Sequence, residues 1–311
     1  MEKKKILLIG GGGTLGTYTA KELLRLGHEV DVLCPEEKIS DHENLHFYRA
    51  YGTIEVLEEL LGRETYDGIV NFIHYNEVEE YRPFHELLSA HTDHLIFLSS
   101  YRIYADQQHP VTEEAPILLD LVKDEEFQRT EKYALSKARC EKYIREESGT
   151  ENYTIVRPVI SFSDRRLDVV TVSGHEVVEA AKEGRTILLP KQAQTLTAGL
   201  DWAGNTGKLI ANLLFKKECM GQAYTVSSAQ NLTWGEVAEL YTKLAGTKFE
   251  WIDTETYVNS GYGGYILFYD RLYDRRIDNQ KILKATGLKK EDFTSIEEGI
   301  RIELKNLQQE E

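Results

Sequence analysis

Cysteine is scarce in this sequence and poorly placed for cross-linking. The 311 residues include three cysteines, Cys34, Cys140 and Cys219. An odd number of widely separated cysteines provides neither a disulfide framework nor the paired spacing of a zinc site. We therefore expect a protein of a reducing compartment that holds no metal, with cysteines that fill space rather than react.

Long apolar runs are also missing. The run Ile6–Ile9 follows three lysines but stops at glycine, so it is too short for a secretory signal peptide. No stretch approaches the roughly 20 apolar residues that a helix needs to span a bilayer. The sequence predicts a cytoplasmic protein that does not enter a membrane.

Positive charge is in deficit. Lysine and arginine number 37 against 52 aspartates and glutamates, which gives a formal net charge of -15. Proteins that bind nucleic acids neutralise phosphates with clustered lysine and arginine. This balance argues against a nucleic-acid partner, whereas a hydrophobic content of 41% is enough for a large buried core.

Glycine, in contrast, is concentrated near the start of the chain. Four consecutive glycines, Gly10–Gly13, separate the apolar run from a stretch with helical spacing. This order predicts a strand, a tight loop and a helix. Gly10, Gly13 and Gly16 form a G-x-x-G-x-x-G pattern, in which backbone without Cβ atoms lets a pyrophosphate approach the start of the helix. Alone, the pattern is equally typical of a flexible turn.

Strand and helix patterns then alternate as far as Pro158. The further predicted strands are Val30–Leu33, Asn44–Tyr48, Ile69–Ile73, His94–Leu98 and Tyr153–Val159. Such alternation predicts an α/β fold, a doubly wound parallel Rossmann sheet. The acidic segment Asp106–Phe127, with two prolines, is predicted to be a surface excursion.

The alternation weakens after Pro158, and one late strand is predicted near Tyr224–Val226. We predict a dinucleotide-binding domain of residues 1–160 plus about 196–228. A smaller mixed substrate-binding domain is predicted from about 161–195 plus 229–311.

A tyrosine and a lysine lie together on the predicted helix Glu131–Glu147. Tyr133 precedes Lys137 by four residues in the segment YALSK, so the two side chains share one face. A lysine ammonium near a phenol lowers the pKa of the phenol, which favours a tyrosinate that accepts a proton near neutral pH. The alternative is a chance pair on a solvated helix. Ser100 argues against chance, because it follows the fifth predicted strand, where open α/β sheets bind ligands.

These segments together resemble the extended short-chain dehydrogenase/reductase family of nucleotide-sugar epimerases and dehydratases, over nearly the whole chain. IGGGGTLG is similar to the family's T-G-G-x-G-x-x-G, SSYRIYA to S-S-x-x-V-Y-G, and YALSK to Y-x-x-x-K. IVRPVISFSD resembles R-P-x-x-V-Y-G-P, and RRIDNQKILKATGL resembles F-D-N-x-K-x-x-x-x-L-G.

The resemblance implies a catalytic set of Ser100, Tyr133 and Lys137, with Lys137 also holding the nicotinamide ribose. It implies a homodimer paired through the helices at about Glu77–Ala90 and Glu131–Glu147. The residues that it places around the dinucleotide are Gly10, Gly13, Thr14, Leu15, Gly16, Cys34, Ile73, Leu98, Tyr133, Lys137 and Pro158.

The choice of cofactor stays open where the sequence departs from the family. Cys34 stands at the end of the second strand, where the family carries an acid for the ribose hydroxyls or a base for a 2′-phosphate. Glu36 and Glu37 would repel a 2′-phosphate. NAD is therefore favoured, and NADP is the alternative.

The residues after Ser100 separate the reactions of the family. Its 4,6-dehydratases replace the serine by threonine followed by Asp-Glu, because elimination of water needs an additional acid and base. Tyr101 and Arg102 stand here instead, so dehydration is disfavoured. We predict an NAD(P)-dependent epimerase of a nucleotide-activated sugar. The alternatives are a reductase or dehydrogenase of a sugar or related carbonyl, and a degenerate family member that is non-catalytic or binds RNA.

Substrate contacts are expected from a small group of polar residues. They are His74, Ser100, Tyr101, Arg165 and Arg271. The alternative for His74 is an ordinary structural histidine, and for the two arginines it is an ordinary surface charge.

Overall fold

The computed structural model describes residues 2–310, which form eleven strands and twelve α-helices within that range. The strands are β1 Lys5–Ile9, β2 Glu29–Cys34, β3 Leu45–Arg49, β4 Tyr66–Asn71, β5 Thr92–Leu98, β6 Tyr153–Pro158, β7 Ile160–Phe162, β8 Thr186–Pro190, β9 Leu200–Trp202, β10 Gln222–Val226 and β11 Lys248–Ile252. The helices are α1 Thr14–Arg25, α2 Ile54–Leu61, α3 Val78–Ala90, α4 Leu118–Leu121, α5 Glu125–Thr130, α6 Lys132–Glu146, α7 Gly174–Glu183, α8 Ala203–Ala211, α9 Trp234–Ala245, α10 Thr254–Tyr257, α11 Gln280–Thr286 and α12 Ile296–Glu310.

Seven strands form the central sheet in the order β10-β6-β5-β4-β1-β2-β3. Every pairing in this sheet is parallel. The chain winds outward from β1 to β3, crosses to the other side of β1 and then winds outward from β4. This reversal leaves a crevice at the carboxyl ends of β1 and β4, where doubly wound sheets bind ligands. The predicted Rossmann fold is confirmed, including the late strand beside β6.

The sheet strands are apolar because helices cover both of their faces. Ile6–Ile9 of β1 are fully buried, and the predicted strands all form, with bounds that shift by a few residues. A parallel sheet covered on both faces needs such continuous apolar runs rather than an alternating pattern. The core therefore extends to both sides of β1.

A second apolar cluster lies outside the central sheet. Two small parallel sheets, β8 with β11 and β7 with β9, contribute to it. Its largest buried side chains include Trp234 and Tyr241 of α9, which pack with Val177 of α7 and Leu189 of β8. No helix within residues 2–310 combines the length and the hydropathy that crossing a bilayer requires.

The segment Asp106–Phe127 is less exposed than the sequence indicates. Leu118 of α4 and Phe127 of α5 are buried in one small apolar cluster. The Phe127 ring lies 4.4 Å from the ring of Tyr269, measured between centroids. The predicted surface position holds for half of the segment, whose residues are exposed, but it is wrong for Leu118 and Phe127, which pack in this cluster.

Candidate active site

A cavity of about 440 Å³ opens at the carboxyl ends of the sheet strands, where the switch of strand order places it. Both the glycine loop and the predicted catalytic serine and tyrosine border it. Its lining residues are Gly10, Gly13, Thr14, Leu15, Gly16, Phe72, Leu98, Ser99, Ser100, Tyr101, Arg102, Tyr133, Pro158, Val159, Ile160, Ser161, Arg166 and Arg271.

The glycine loop presents the start of α1 to this cavity. Gly10 has φ +70°, a left-handed conformation that glycine adopts without strain, and its N–H donates to the Leu33 carbonyl at 2.8 Å. A Cβ atom at Gly13 would meet no atom within 4 Å, so the backbone there faces open space. A Cβ atom at Gly16 would lie 2.3 Å from the Cα of Gly11. Glycine at position 16 therefore lets α1 pack directly on the loop.

Some of the other predicted cofactor residues line the cavity beside this loop, and others lie behind the lining. The Thr14 hydroxyl lies 2.9 Å from the Ser163 hydroxyl, which connects the start of α1 to the end of β7. Leu98 and Pro158 border the cavity, whereas Ile73 packs behind Gly10. Cys34 is buried outside the cavity lining, with its sulfur 3.7 Å from the Glu36 carbonyl.

Ser100 occupies the turn that follows β5. It is buried, and its Oγ accepts a hydrogen bond from the backbone N–H of Arg102 at 3.2 Å. This bond caps the short 3-10 turn Tyr101–Ile103. The turn directs the hydroxyl into the cavity lining beside Tyr133.

Tyr133 is the second residue of α6 and lies between two other side chains. The His74 ring is 4.9 Å away between centroids, and the Arg102 guanidinium carbon lies 5.2 Å from the Tyr133 ring centroid. Burial raises the pKa of Tyr133 above its ordinary value, and hydrogen bonding to Ser100 and the charge of Arg102 oppose this shift. The predicted lowering of this pKa is wrong, because burial dominates.

Lys137 lies one turn further along α6 and is fully buried. Its Nζ donates to the carbonyl of Leu98 at 2.6 Å and to that of Ile73 at 3.3 Å. Burial lowers the pKa of Lys137 to about 8. The ammonium thus ties α6 to the ends of β4 and β5, and Lys137 is not one of the residues that line the cavity.

Arg102 and Glu131 form an ion pair that the sequence did not predict. Arg102 Nη2 donates to Glu131 Oε2 at 2.6 Å, and Glu131 Oε1 accepts from the backbone N–H of Ala134 at 3.1 Å. The same carboxylate therefore caps α6 and holds the guanidinium beside Tyr133. The available signal was an arginine at a variable position of SSYRIYA.

A second buried polar group lies next to this pair. The Tyr101 hydroxyl donates to Asp270 Oδ2 at 2.8 Å, and Arg271 Nε donates to the Val170 carbonyl at 2.7 Å. Burial alone would raise the pKa of Asp270, but the charges of Arg271 and Arg275 hold that pKa below its ordinary value. Tyr101 and Arg271 line the cavity, whereas Asp270 and Arg275 lie outside its lining.

The remaining predicted substrate residues lie in different places. His74 is exposed overall, and its ring lies against that of Tyr133 at an interplanar angle of 36°. The burial of the ring, followed by the charge of Lys137, lowers the pKa of His74. Arg165 is exposed outside the cavity lining, and its Nη1 donates to the Gly12 carbonyl at 3.3 Å. Lys38 Nζ donates to the same carbonyl at 2.6 Å. Arg166, which follows Arg165 in the sequence, lines the cavity, although Arg165 does not.

Comparison with known proteins gives one family and many similar folds. Residues 6–202 match the family described as the NAD dependent epimerase/dehydratase family. No curated protein matches the chain.

Solved structures with the same fold cover nearly the whole chain. An epimerase from Methanothermobacter thermautotrophicus has a TM-score of 0.74 at 14% identity and covers 99% of this chain and 93% of its own. The Thermus thermophilus UDP-glucose 4-epimerase, solved with NAD, has a TM-score of 0.70 at 17% identity, covering 98% and 99%. The Bordetella bronchiseptica enzyme WbmG, solved with NAD and UDP, has a TM-score of 0.72 at 15% identity, covering 99% and 96%. At these identities the likeness shows a shared fold.

Proposed function

The chain belongs to the NAD-dependent epimerase/dehydratase family, and we propose that within this family it is an epimerase of a nucleotide-activated sugar. The supporting observation is one cavity that joins the glycine loop to Ser100 and Tyr133. Among the described residues that line it, none is an aspartate or glutamate. Elimination of water needs such an acid and base, whereas epimerisation through a transient ketone needs one tyrosine.

NAD is the cofactor that the family description names, and the residues present fit it. The start of α1 is open at Gly13, and its free N–H groups and positive dipole end suit a pyrophosphate. When bound, NAD supplies reversible hydride transfer. Gly10 and Gly13–Gly16 would hold the pyrophosphate, Cys34 would lie at the adenosine end, and Lys137 would act on the nicotinamide ribose. Ile73, Leu98 and Pro158 would border the nicotinamide.

Tyr133 carries the proton in the proposed reaction. Its phenol oxygen would take the proton of the sugar hydroxyl in one half of the cycle and return it in the other half. Ser100 would hydrogen-bond the same sugar oxygen. Since burial favours the neutral phenol, the Ser100 hydrogen bond and the Arg102 charge are the influences that make the tyrosinate accessible.

The proposed function is tested first by the small molecules that the protein retains. The purified protein is denatured, and the released NAD, NADP and nucleotide sugars are measured by mass spectrometry. An epimerase recycles its cofactor in place, so we expect NAD near one per chain. The loaded protein is then incubated with UDP-glucose and other nucleotide sugars, and epimers are detected by NMR.

Two results would contradict the epimerase proposal. Stoichiometric oxidation of added NADH or NADPH with a carbonyl sugar, and no epimer, would indicate a reductase. No binding of either dinucleotide would indicate a degenerate family member. We also propose a homodimer through α3 and α6, which pack side by side, and a monomer mass by light scattering would contradict it.

A further inference from the structure

The β5 end of the cavity holds more positive charge than the proposed proton transfer needs. Arg102 and Arg271 line this part of the wall, with Ser100 and Tyr133 beside them. The described lining residues include no carboxylate that would offset these charges at the cavity surface. A cavity of this kind favours an anionic group on whatever occupies it.

Behind the residues that line the cavity, there are fewer buried carboxylates than arginines that pair with them. Glu131 pairs with Arg102, and Asp270 pairs with both Arg271 and Arg275, the latter at 3.2 Å. Three guanidinium groups therefore share two carboxylates. The cluster as a whole carries one more positive than negative charge, and such a surplus is costly to bury unless a ligand supplies the missing anion.

Arg102 and Arg275 each have one buried guanidinium nitrogen without a hydrogen-bond partner among the described residues, and of the two only Arg102 borders the cavity. In Arg102 this nitrogen is Nε. Asp270 Oδ2 lies 3.9 Å from this Nε, which is too far for a hydrogen bond. Buried charged donors rarely lack a hydrogen-bond acceptor in folded proteins. The guanidinium of Arg102 therefore has capacity for one further acceptor.

Arg102 is fixed beside the reacting groups and not beside the pyrophosphate loop. Its guanidinium lies over the Tyr133 ring, and its backbone N–H bonds the Ser100 hydroxyl. Glu131 restrains the side chain, because that carboxylate also caps α6. An anion that Arg102 binds must accordingly belong to the part of the substrate that reacts.

We propose that the substrate is a nucleotide-activated uronic acid, and that Arg102 recognises the carboxylate that lies next to the reacting carbon. This inference rests on the epimerase function proposed above. One spare positive charge matches a carboxylate with one negative charge better than a phosphate with two. The planar guanidinium also suits the planar carboxylate.

The test compares two probes that differ only at this group. UDP-glucuronate carries a carboxylate where UDP-glucose carries a hydroxymethyl group. Calorimetry on NAD-loaded Tyr133→Phe protein measures both affinities without turnover. We expect UDP-glucuronate to bind about 10- to 100-fold more tightly, the range that one charge-assisted pair supplies.

Arginine variants on the same background assign the preference. Arg102→Gln should bring the ratio of the two affinities close to one, and Arg102→Lys should retain part of the preference because it keeps the charge. Arg166→Gln is the matched control, since Arg166 lines the same cavity and pairs with Asp168 at 2.8 Å. Its affinity ratio should stay that of the parent protein.

The possible failures are distinguishable. Equal affinities for the two probes, or tighter binding of UDP-glucose, would overturn the uronic-acid proposal and leave the nucleotide-sugar proposal intact. An Arg102→Gln variant that weakens both probes equally would show that Arg102 contacts a part that the two probes share, and would overturn the uronic-acid proposal as well. Binding of NAD, but of neither probe and of none of the other nucleotide sugars tested, would overturn the nucleotide-sugar proposal itself.

Discussion

At the scale of single residues, the candidate site depends on how Tyr133 is balanced between burial and its polar neighbours. Burial favours the phenol, and the groups that favour the tyrosinate are a hydroxyl and a guanidinium from the turn after β5. Lys137, four residues away, instead donates to two strand carbonyls. The tyrosine and the lysine of YALSK therefore have different physical roles in this structure.

Tyr133→Phe should abolish turnover and preserve the fold. The ring still packs against His74 and Arg102, while the proposed proton carrier is lost. We expect the rate to fall by about 10²- to 10⁴-fold, the usual contribution of acid-base catalysis. Epimer formation by NMR measures the rate, and NAD content and thermal melting are the controls. Activity near that of the unaltered protein would remove Tyr133 from the mechanism.

Lys137 should make the free energy of unfolding depend on pH above neutrality. Its pKa is about 8 in the folded protein against 10.5 ordinarily, so between these values the unfolded chain binds the proton and the folded protein does not. The contribution of Lys137 to stability should therefore rise as pH increases through this window, by an amount on the order of 3 kcal/mol.

Lys137→Met is the comparison for this effect, because it keeps the shape and cannot titrate. Urea unfolding of both proteins between pH 7 and about 10.5 gives the difference in free energy. A difference that stays constant across the window would show that the pKa of Lys137 is not lowered.

The roles of some site residues could be predicted from the sequence, whereas the roles of others could not. The glycine pattern and YALSK are local, so a few neighbouring letters suggest their role. The Arg102–Glu131 pair joins residues 29 positions apart, and the Tyr101–Asp270 bond joins residues 169 apart. Such pairs depend on tertiary packing, which local spacing does not encode. The pKa of Tyr133 was misjudged for the same reason, because burial was not known.

At the scale of elements, two glycines where the glycine loop meets α1 should affect different properties: one the binding of NAD and the other the stability of the fold. Gly13→Val should leave stability nearly unchanged, since its side chain would enter open space. The same side chain should block the pyrophosphate, so NAD affinity should fall strongly. Gly16→Ala should instead destabilise the fold, because its Cβ would overlap the Gly11 backbone. Calorimetric NAD binding and urea unfolding measure both effects, and a stable, NAD-free Gly16→Ala protein would contradict this separation.

A histidine on β5 links three elements. His94 Nδ1 accepts from the Phe215 N–H at 2.9 Å, so Nε2 carries the hydrogen and faces the Thr154 hydroxyl at 2.8 Å. Thr154 in turn donates to the Cys219 carbonyl at 2.7 Å. This chain joins β5, β6 and the connection between α8 and β10. Protonation of Nδ1 would remove its first bond.

His94 should consequently limit stability in acid. Burial lowers the pKa of His94 to about 4 from 6.5, so its contribution is complete above pH 6.5 and is lost as the pH falls toward 4. The loss should be roughly 3 kcal/mol at most. Urea unfolding of the protein and of His94→Gln at several pH values measures it, since glutamine cannot titrate. Parallel pH curves for the two proteins would argue against this role.

The elements themselves were largely predictable, since buried parallel strands require continuous apolar runs and helices require apolar periodicity. Ile6–Ile9 and His94–Leu98 follow this rule. The error at Asp106–Phe127 has the opposite origin. The acidic and proline residues of the segment suggest exposure, whereas Leu118 and Phe127 are buried in an apolar cluster. The ring of Tyr269, which packs on Phe127, comes from a segment that local sequence patterns do not connect to it.

At the scale of the whole molecule, one buried carboxylate connects α12 to three earlier segments of the chain. Glu303 accepts hydrogen bonds from the Tyr18 hydroxyl, Trp202 Nε1 at 2.6 Å and the Asp164 N–H at 2.9 Å. Asn306 adds another at 3.0 Å. The division into two domains at the bounds given above stays a prediction, and Glu303 shows how closely the two parts of the chain are joined.

Glu303→Gln should destabilise the entire fold. The amide nitrogen cannot accept a hydrogen bond, so at least one buried donor loses its partner, at a cost of about 1–3 kcal/mol. Urea unfolding measures the change, with Glu298→Gln as the control on an exposed position of the same helix. Equal stability of the two variants would show that the Glu303 cluster is dispensable.

The contacts of Glu303 can form only late in the synthesis of the chain. Tyr18 and Glu303 are separated by 285 residues, so at about 5–20 residues per second the ribosome makes α1 some ~15–60 s before the carboxylate that completes its contacts. Throughout that interval the Tyr18 hydroxyl lacks this acceptor, and so do the Asp164 N–H and Trp202 once they have been made. All strands of the central sheet are therefore synthesised before α12 can cover Tyr18 of α1. The speed of translation determines how long chaperones have access to this uncovered part of α1.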